Sequence, residues 1–300
     1  MPGKIGKVGI LIVLALVISL GVVVLALSYS EAGVTTEIWT EGFPIAASDL
    51  SAVPQSVVED AIGLATELFG DYQEKGNDFA NQLLALYLEA KDKDFIIVFN
   101  PGGWGWNLVE TSPGWWSIFN GIKSELDSSG YTSLLLNHQR TAETSLGRLD
   151  EFVEMMALYP SKAEDLASRV EFLTSHIPDL QVIIAGESTG TVITDKVMNI
   201  LKDNPQVYSI QTGAPFWHKN TMLDRTLVMT SNGIIPDSFS QGDFLTIIGA
   251  NLRAFFGLSQ DDSGRILKYV GAPGHDYWWQ YPGVHSEIKD FLDKNFGVIR

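Results

Sequence analysis

From Asp94 onward, short apolar runs alternate with longer segments of helical period, and no other feature constrains the fold of this chain as much. The runs cover residues 95–99, 132–136, 182–185, 207–210, 226–229 and 266–270. Strands buried on both faces read this way, as hydrophobic stretches with no polar side. Between and around them the spacing predicts helices at 115–126, 142–158, 162–176, 189–202, 244–256 and 285–295. Such alternation implies an α/β fold: a mostly parallel sheet of about six or more strands, covered by helices on both faces. In sheets of this kind ligands gather at the carboxyl ends of the strands. Within 244–256, Phe244, Ile247, Ile248, Leu252 and Phe255 share one face, which predicts a helix packed on the sheet, with a hydrophobic lid as the alternative.

The chain divides into residues 1–30, a lead-in at 31–93 and a core at 94–300. In the lead-in, 34–39 has the pattern of a short strand. Pro54 opens a helical pattern through Val57, Val58, Ile62, Leu64 and Leu68 that stops at Gly70, and 79–88 carries another. Residues 8–27 are apolar throughout except for Gly9, Ser19 and Gly21. At 1.5 Å of rise per residue, about 20 such residues cross the ~30 Å hydrocarbon core of a bilayer. Lys4 and Lys7 precede the run, and Glu31, Glu37 and Glu41 follow it. The charge asymmetry places the N-terminus in the cytoplasm and the core outside, as a single-pass membrane protein. The competing reading is a signal peptide whose cleavage releases a secreted protein. It would ask for a shorter apolar region, about 7–15 residues, and the nearest thing to a small-residue cleavage site is Ser28-Tyr29-Ser30.

Charge and cysteine content exclude whole classes of chemistry. The formal net charge of -16 argues against nucleic acid as a partner and against long-range attraction to anionic lipid. With no cysteine, disulfides, thiol catalysis, cysteine-ligated zinc and iron–sulfur clusters are ruled out.

One motif carries chemistry. Gly186-Glu187-Ser188-Thr189-Gly190 fits G-x-S-x-G, with an expected strand entering it and an expected helix leaving it. An abrupt strand-to-helix bend holds its central residue in a strained conformation and projects that side chain above the sheet edge. Side chains two positions away would crowd the bend, which explains the flanking glycines. The new helix aims its first N–H groups at the same place, where they can stabilise negative charge.

On this motif and the strand–helix order, the stretch from Asp94 to Phe296 resembles the α/β-hydrolase superfamily of serine esterases and lipases. The resemblance implies Ser188 as nucleophile. It implies an oxyanion hole built from the Thr189 amide and an amide of the loop after the 95–99 strand, Asn100-Pro101-Gly102-Gly103-Trp104-Gly105. That loop resembles the family's H-G-G-G segment without its histidine, and either Gly103 or Trp104 supplies the donor. The family order is Ser, then Asp or Glu, then His. His138 and His176 precede the motif, and His218 comes too early after it. His275 lies between the expected last strand and last helix, where the family carries its base, and His285 at the start of that helix is the rival. The acid is expected after the 226–229 strand, at Asp237, with Asp243 as the alternative; an Asp there is also a common helix cap.

The implied activity is cleavage of carboxylic esters through an acyl-enzyme, with no metal or organic cofactor. The same machinery serves thioesterases, peptidases and acyltransferases, and a non-catalytic binding protein can keep the fold. Seven of the eight tryptophans fall in or beside loops at the expected catalytic edge. They read equally as the lining of a pocket for an apolar acyl group and as ordinary loop packing.

Overall fold

The computed structural model describes residues 37–40, 43–44, 50–70, 72–255 and 271–297. The expected membrane span at 8–27 lies outside these residues. Among the described residues no helix is long and apolar enough to cross a membrane.

The strands are β1 (Glu37–Thr40), β2 (Phe43–Pro44), β3 (Phe95–Asn100), β4 (Ser133–Gln139), β5 (Gln181–Glu187), β6 (Val207–Thr212) and β7 (Thr226–Met229). The helices are α1 (Gln55–Phe69), α2 (Gln73–Ala90), α3 (Pro113–Ser128), α4 (Ser145–Met156), α5 (Pro160–His176), α6 (Gly190–Ile200), α7 (Ser238–Gln241), α8 (Phe244–Phe255) and α9 (Pro282–Phe296). All seven strands form one sheet in the order β2-β1-β4-β3-β5-β6-β7. The pairings β4·β3, β3·β5, β5·β6 and β6·β7 are parallel, while β1 runs antiparallel to both β2 and β4. Among the described residues five of the seven strands are parallel, against an expected mostly parallel sheet of about six or more. The sixth run, 266–270, lies outside the described residues. The edge is extended instead by the short antiparallel pair from the lead-in, where a strand was expected at 34–39.

The apolar runs of the central strands are uninterrupted because those strands feed two cores. Along β3, Ile96 and Val98 enter one core, while Phe95, Ile97 and Phe99 enter the other. Along β5, Val182 and Ile184 alternate in the same way with Ile183 and Ala185. The first core is closed by α1, α2, α5 and α6 through residues such as Val57, Leu83, Leu166 and Ile193. The second is closed by α3 and α9 through Trp115, Ile118, Ile288 and Leu292. Both α3 and α9 begin with proline, Pro113 and Pro282, at a position whose N–H has no partner within the helix.

The chain leaves β3 for α3 on one face and β5 for α6 on the other, and the order of strands reverses between β3 and β5. Open α/β sheets bind ligands at the carboxyl ends of the strands where such a reversal occurs.

Helix α8 corrects one expectation. None of its described side chains joins either core, and Phe244, Leu245, Ile248 and Leu252 are 53–85% exposed. The spacing identified residues that share a face, but spacing carries no information on what that face meets. Here the Phe244 ring packs edge-on against Phe216 (centroids 4.9 Å apart) on the loop after β6.

Candidate active site

The bend between β5 and α6 is built as the motif demands. Ser188 has φ +51°, in the left-handed region that is costly for a residue with a side chain. Its amide donates to the Thr212 carbonyl at the end of β6 (2.9 Å), and its own carbonyl accepts from the Thr191 amide and hydroxyl (3.0 and 2.7 Å). The flanking glycines are required by contact. A Cβ on Gly190 would lie 2.2 Å from the Asn100 carbonyl oxygen, and one on Gly186 would lie 2.7 Å from Thr194 Oγ1. The bend is thus pressed against the loop after β3, and Ser188 is half-buried beneath it.

The histidine reaches the same strand end from the last loop. His275 Nδ1 is 2.8 Å from Asp237 Oδ2. A carboxylate only accepts, so Nδ1 carries the hydrogen and Nε2 keeps a free lone pair. The ring rests on Gly213, where a Cβ would lie 2.5 Å from its Cε1 and 2.8 Å from its Nδ1. Gly213 directly follows Thr212, the residue that holds the Ser188 amide. The serine backbone and the imidazole are therefore anchored to consecutive residues at one strand end.

Asp237 is fully buried and heavily bonded. Its Oδ1 accepts from the Phe239 and Ser240 amides (2.9 and 3.2 Å), capping α7. Its Oδ2 accepts from the Ser240 hydroxyl and the Tyr277 hydroxyl, both at 2.9 Å, as well as from His275. Burial pushes the carboxyl pKa up. The His275 hydrogen bond and charge, with the Ser240 amide and Tyr277 hydroxyl, outweigh it and hold the group below the usual carboxylate value. The Tyr277 hydroxyl is pushed the other way, first by burial and then by the Asp237 charge.

Asp243 is elsewhere. It is exposed and caps α8, accepting from the Thr246 amide at 3.1 Å and hydroxyl at 2.6 Å. The other histidines also have different surroundings. His285 packs on Trp279 (4.7 Å), His218 bonds Asp195 (3.1 Å), and His176 bonds Asp60 (3.0 Å). His138 is buried, with Nδ1 2.6 Å from Asn100 Oδ1; burial lowers its pKa against the opposing pull of Asp165.

The loop after β3 touches Ser188 directly, since a Cβ on Gly102 would lie 2.9 Å from the serine Cβ. Its Gly103 carbonyl accepts from Thr189 Oγ1 (3.1 Å), and its Gly102 amide donates to Glu187 Oε2 (3.3 Å). Burial raises the Glu187 carboxyl pKa, opposed by that amide and by His275 nearby. Among the described residues, the amides of Gly103, Trp104 and Thr189 donate to no protein acceptor.

The tryptophans divide between two roles. Trp115 is buried and donates from Nε1 to Thr212 Oγ1 (3.0 Å). Trp279 packs so closely on α3 that a Cβ on Gly121 would fall 2.0 Å from its ring. Trp104 stacks on Trp106 (6.2 Å), and Trp217 meets Phe239 (5.3 Å), whose ring meets His275 (4.8 Å). Trp104 and Trp217 are exposed.

Tyr277, Ser240 and Glu187 have no counterpart among the residues singled out from sequence. Only their positions within three residues of His275, Asp237 and Ser188 mark them, and nearness in sequence does not say which way a side chain turns.

No family model matches the chain, and no curated protein matches it. Among solved structures, it is similar to a Trichoderma reesei cutinase in complex with a C11Y4 phosphonate inhibitor, with 14% identity, a TM-score of 0.37, and coverage of 59% of this chain and 77% of that one.

Proposed function

We propose that this protein is a serine hydrolase of the α/β-hydrolase type that cleaves carboxylic esters, anchored to a membrane by residues 8–27. The observation that carries the reading is the shared anchor on β6. Thr212 holds the amide of a positive-φ serine, and Gly213 lies under an imidazole bonded to a buried carboxylate. In this reading His275 Nε2 takes the Ser188 proton as Oγ attacks the acyl carbonyl, and the pair Asp237–His275 stabilises the imidazolium that forms. The amides of Thr189 and of Gly103 or Trp104 stabilise the oxyanion, each donor lowering the barrier by about 3–4 kcal/mol. The imidazolium then protonates the leaving alcohol, and water, deprotonated by the same histidine, hydrolyses the acyl-enzyme.

A chain of aromatics leads away from His275, through half-buried Phe239 to exposed Trp217 and Phe216, and favours an apolar acyl or alkyl group. Purified protein should hydrolyse p-nitrophenyl esters faster than matched thioesters and anilides, and Ser188→Ala should remove that activity by at least about 10^4-fold. A faster thioester or anilide reaction would reassign the substrate. Folded wild type inert to all three would favour a binding protein.

A further inference from the structure

The loop after β3 is held by an ion pair that the mechanism above does not use. Arg140 lies one residue beyond β4 and is fully buried, and its partner Glu151 on α4 is 1% exposed. Arg140 Nε and Nη2 both donate to Glu151 Oε1, at 3.2 and 2.7 Å, and Glu151 Oε2 accepts from Thr141 Oγ1 at 2.9 Å. The remaining nitrogen, Nη1, donates to the Pro101 carbonyl at 2.5 Å. The Arg140 backbone amide donates to the Gly105 carbonyl at 2.9 Å. One residue thus takes the carbonyls at both ends of the loop. Gly105 has φ +80°, and a Cβ there would lie 2.9 Å from the guanidinium carbon, so only glycine lets the loop lie on Arg140. Lys162 Nζ closes the arrangement from behind by donating to the Arg140 carbonyl at 2.9 Å.

A buried ion pair is weak support for stability, because desolvation offsets its attraction and an apolar pair of similar size often serves as well. The position of this one points to another role. In a planar trans peptide, C=O and N–H point in opposite directions. The Pro101–Gly102 peptide is gripped on both sides, its C=O by Arg140 and its N–H by Glu187. The Gly103 carbonyl is taken by Thr189. With those groups engaged, the Gly103 and Trp104 amides are the loop donors left without a protein acceptor among the described residues.

We propose that Arg140 and Glu151 are positioning residues that fix the loop so that its Gly103 and Trp104 amides face the oxyanion formed on Ser188. The inference rests on the ester-hydrolase reading. It requires arginine in particular, because only a planar fork can hold Glu151 and Pro101 at once.

The decisive variant is Arg140→Met combined with Glu151→Leu, which removes both charges at similar volume and so leaves neither charge buried without its partner. Its kcat on a p-nitrophenyl ester should fall about 10- to 100-fold in protein that still unfolds cooperatively, with KM within about twofold. Affinity for a trifluoromethyl ketone, which forms an oxyanion on the serine, should fall in parallel. Arg140→Lys, which keeps the charge but not the fork, should show the same kcat loss and covers the case in which the double variant does not fold. Wild-type kcat and ketone affinity in either folded variant, beside a wild type whose activity needs Ser188, would overturn the positioning role alone. A wild type without Ser188-dependent hydrolysis would overturn the role and the underlying reading together.

Discussion

At the residue scale, Asp237 has the most demanding position. It is a fully buried carboxylate that accepts from two amides, two hydroxyls and one imidazole. Asp237→Asn keeps the shape but offers His275 an amide that can bond the wrong tautomer. On the proposed mechanism kcat should drop by about 10^4-fold with little change in KM. The same residue carries a pH signature. Its pKa is held below the unfolded value, so its stabilising contribution is present above about pH 4 and is lost as pH falls through the folded value. The stability gap between wild type and Asp237→Asn should therefore shrink below about pH 4 in denaturant titrations, and a gap that stayed constant would contradict the assignment of the shift. The proposed roles of Ser188, Asp237 and His275 are drawn from order along the chain, because the G-x-S-x-G spacing and the position of a histidine after the last strands are local signals. Arg140, Glu151 and Tyr277 give no such signal. Each acts through a partner on another element, at separations of 11 residues for Arg140 to Glu151 and 40 for Tyr277 to Asp237. Nothing in an isolated arginine at a strand end announces that it will be buried.

At the element scale, β3 shows why the parallel strands were legible. Five successive apolar side chains alternate between two cores, so every position is selected for hydrophobicity. Ile96→Ala and Ile97→Ala should each destabilise the protein by about 2–5 kcal/mol, one emptying a site in each core. Equilibrium unfolding in urea checks this. A large cost for only one of the two would mean that one face of the strand is wet. Helix ends were legible to within a few residues where proline or glycine punctuates them, as at Pro113, Gly70 and Pro282. Helix α8 shows the limit of the same reasoning. Its described apolar side chains join no core, because periodicity reports a shared side and not a partner.

At the scale of the whole molecule, the sheet order is what turns a local bend into a site. Because β3 and β5 are neighbours whose helices leave on opposite faces, the Gly-rich loop and the serine bend meet at one end of the sheet, and β6 and β7 bring the histidine and aspartate beside them. Sequence alternation implied the sheet, but the order of strands depends on long-range pairing that no local pattern encodes. The proposed anchor belongs to this scale too. The full chain should sediment with membranes and be released by detergent but not by high salt. A Leu14→Arg, Val17→Arg variant should become soluble, since each arginine near the centre of a span costs about 2.5–3.5 kcal/mol. Recovery of a soluble wild-type chain beginning near Ser28 would instead indicate a cleaved signal.

The central claim is that Ser188 is a nucleophile served by His275. A fluorophosphonate probe tests it most directly, because it forms a covalent adduct only with a serine activated by a neighbouring base. Folded wild type should label, Ser188→Ala should not, and His275→Ala should label far more slowly. Undiminished labelling of Ser188→Ala, or full-rate labelling of His275→Ala, would contradict the account.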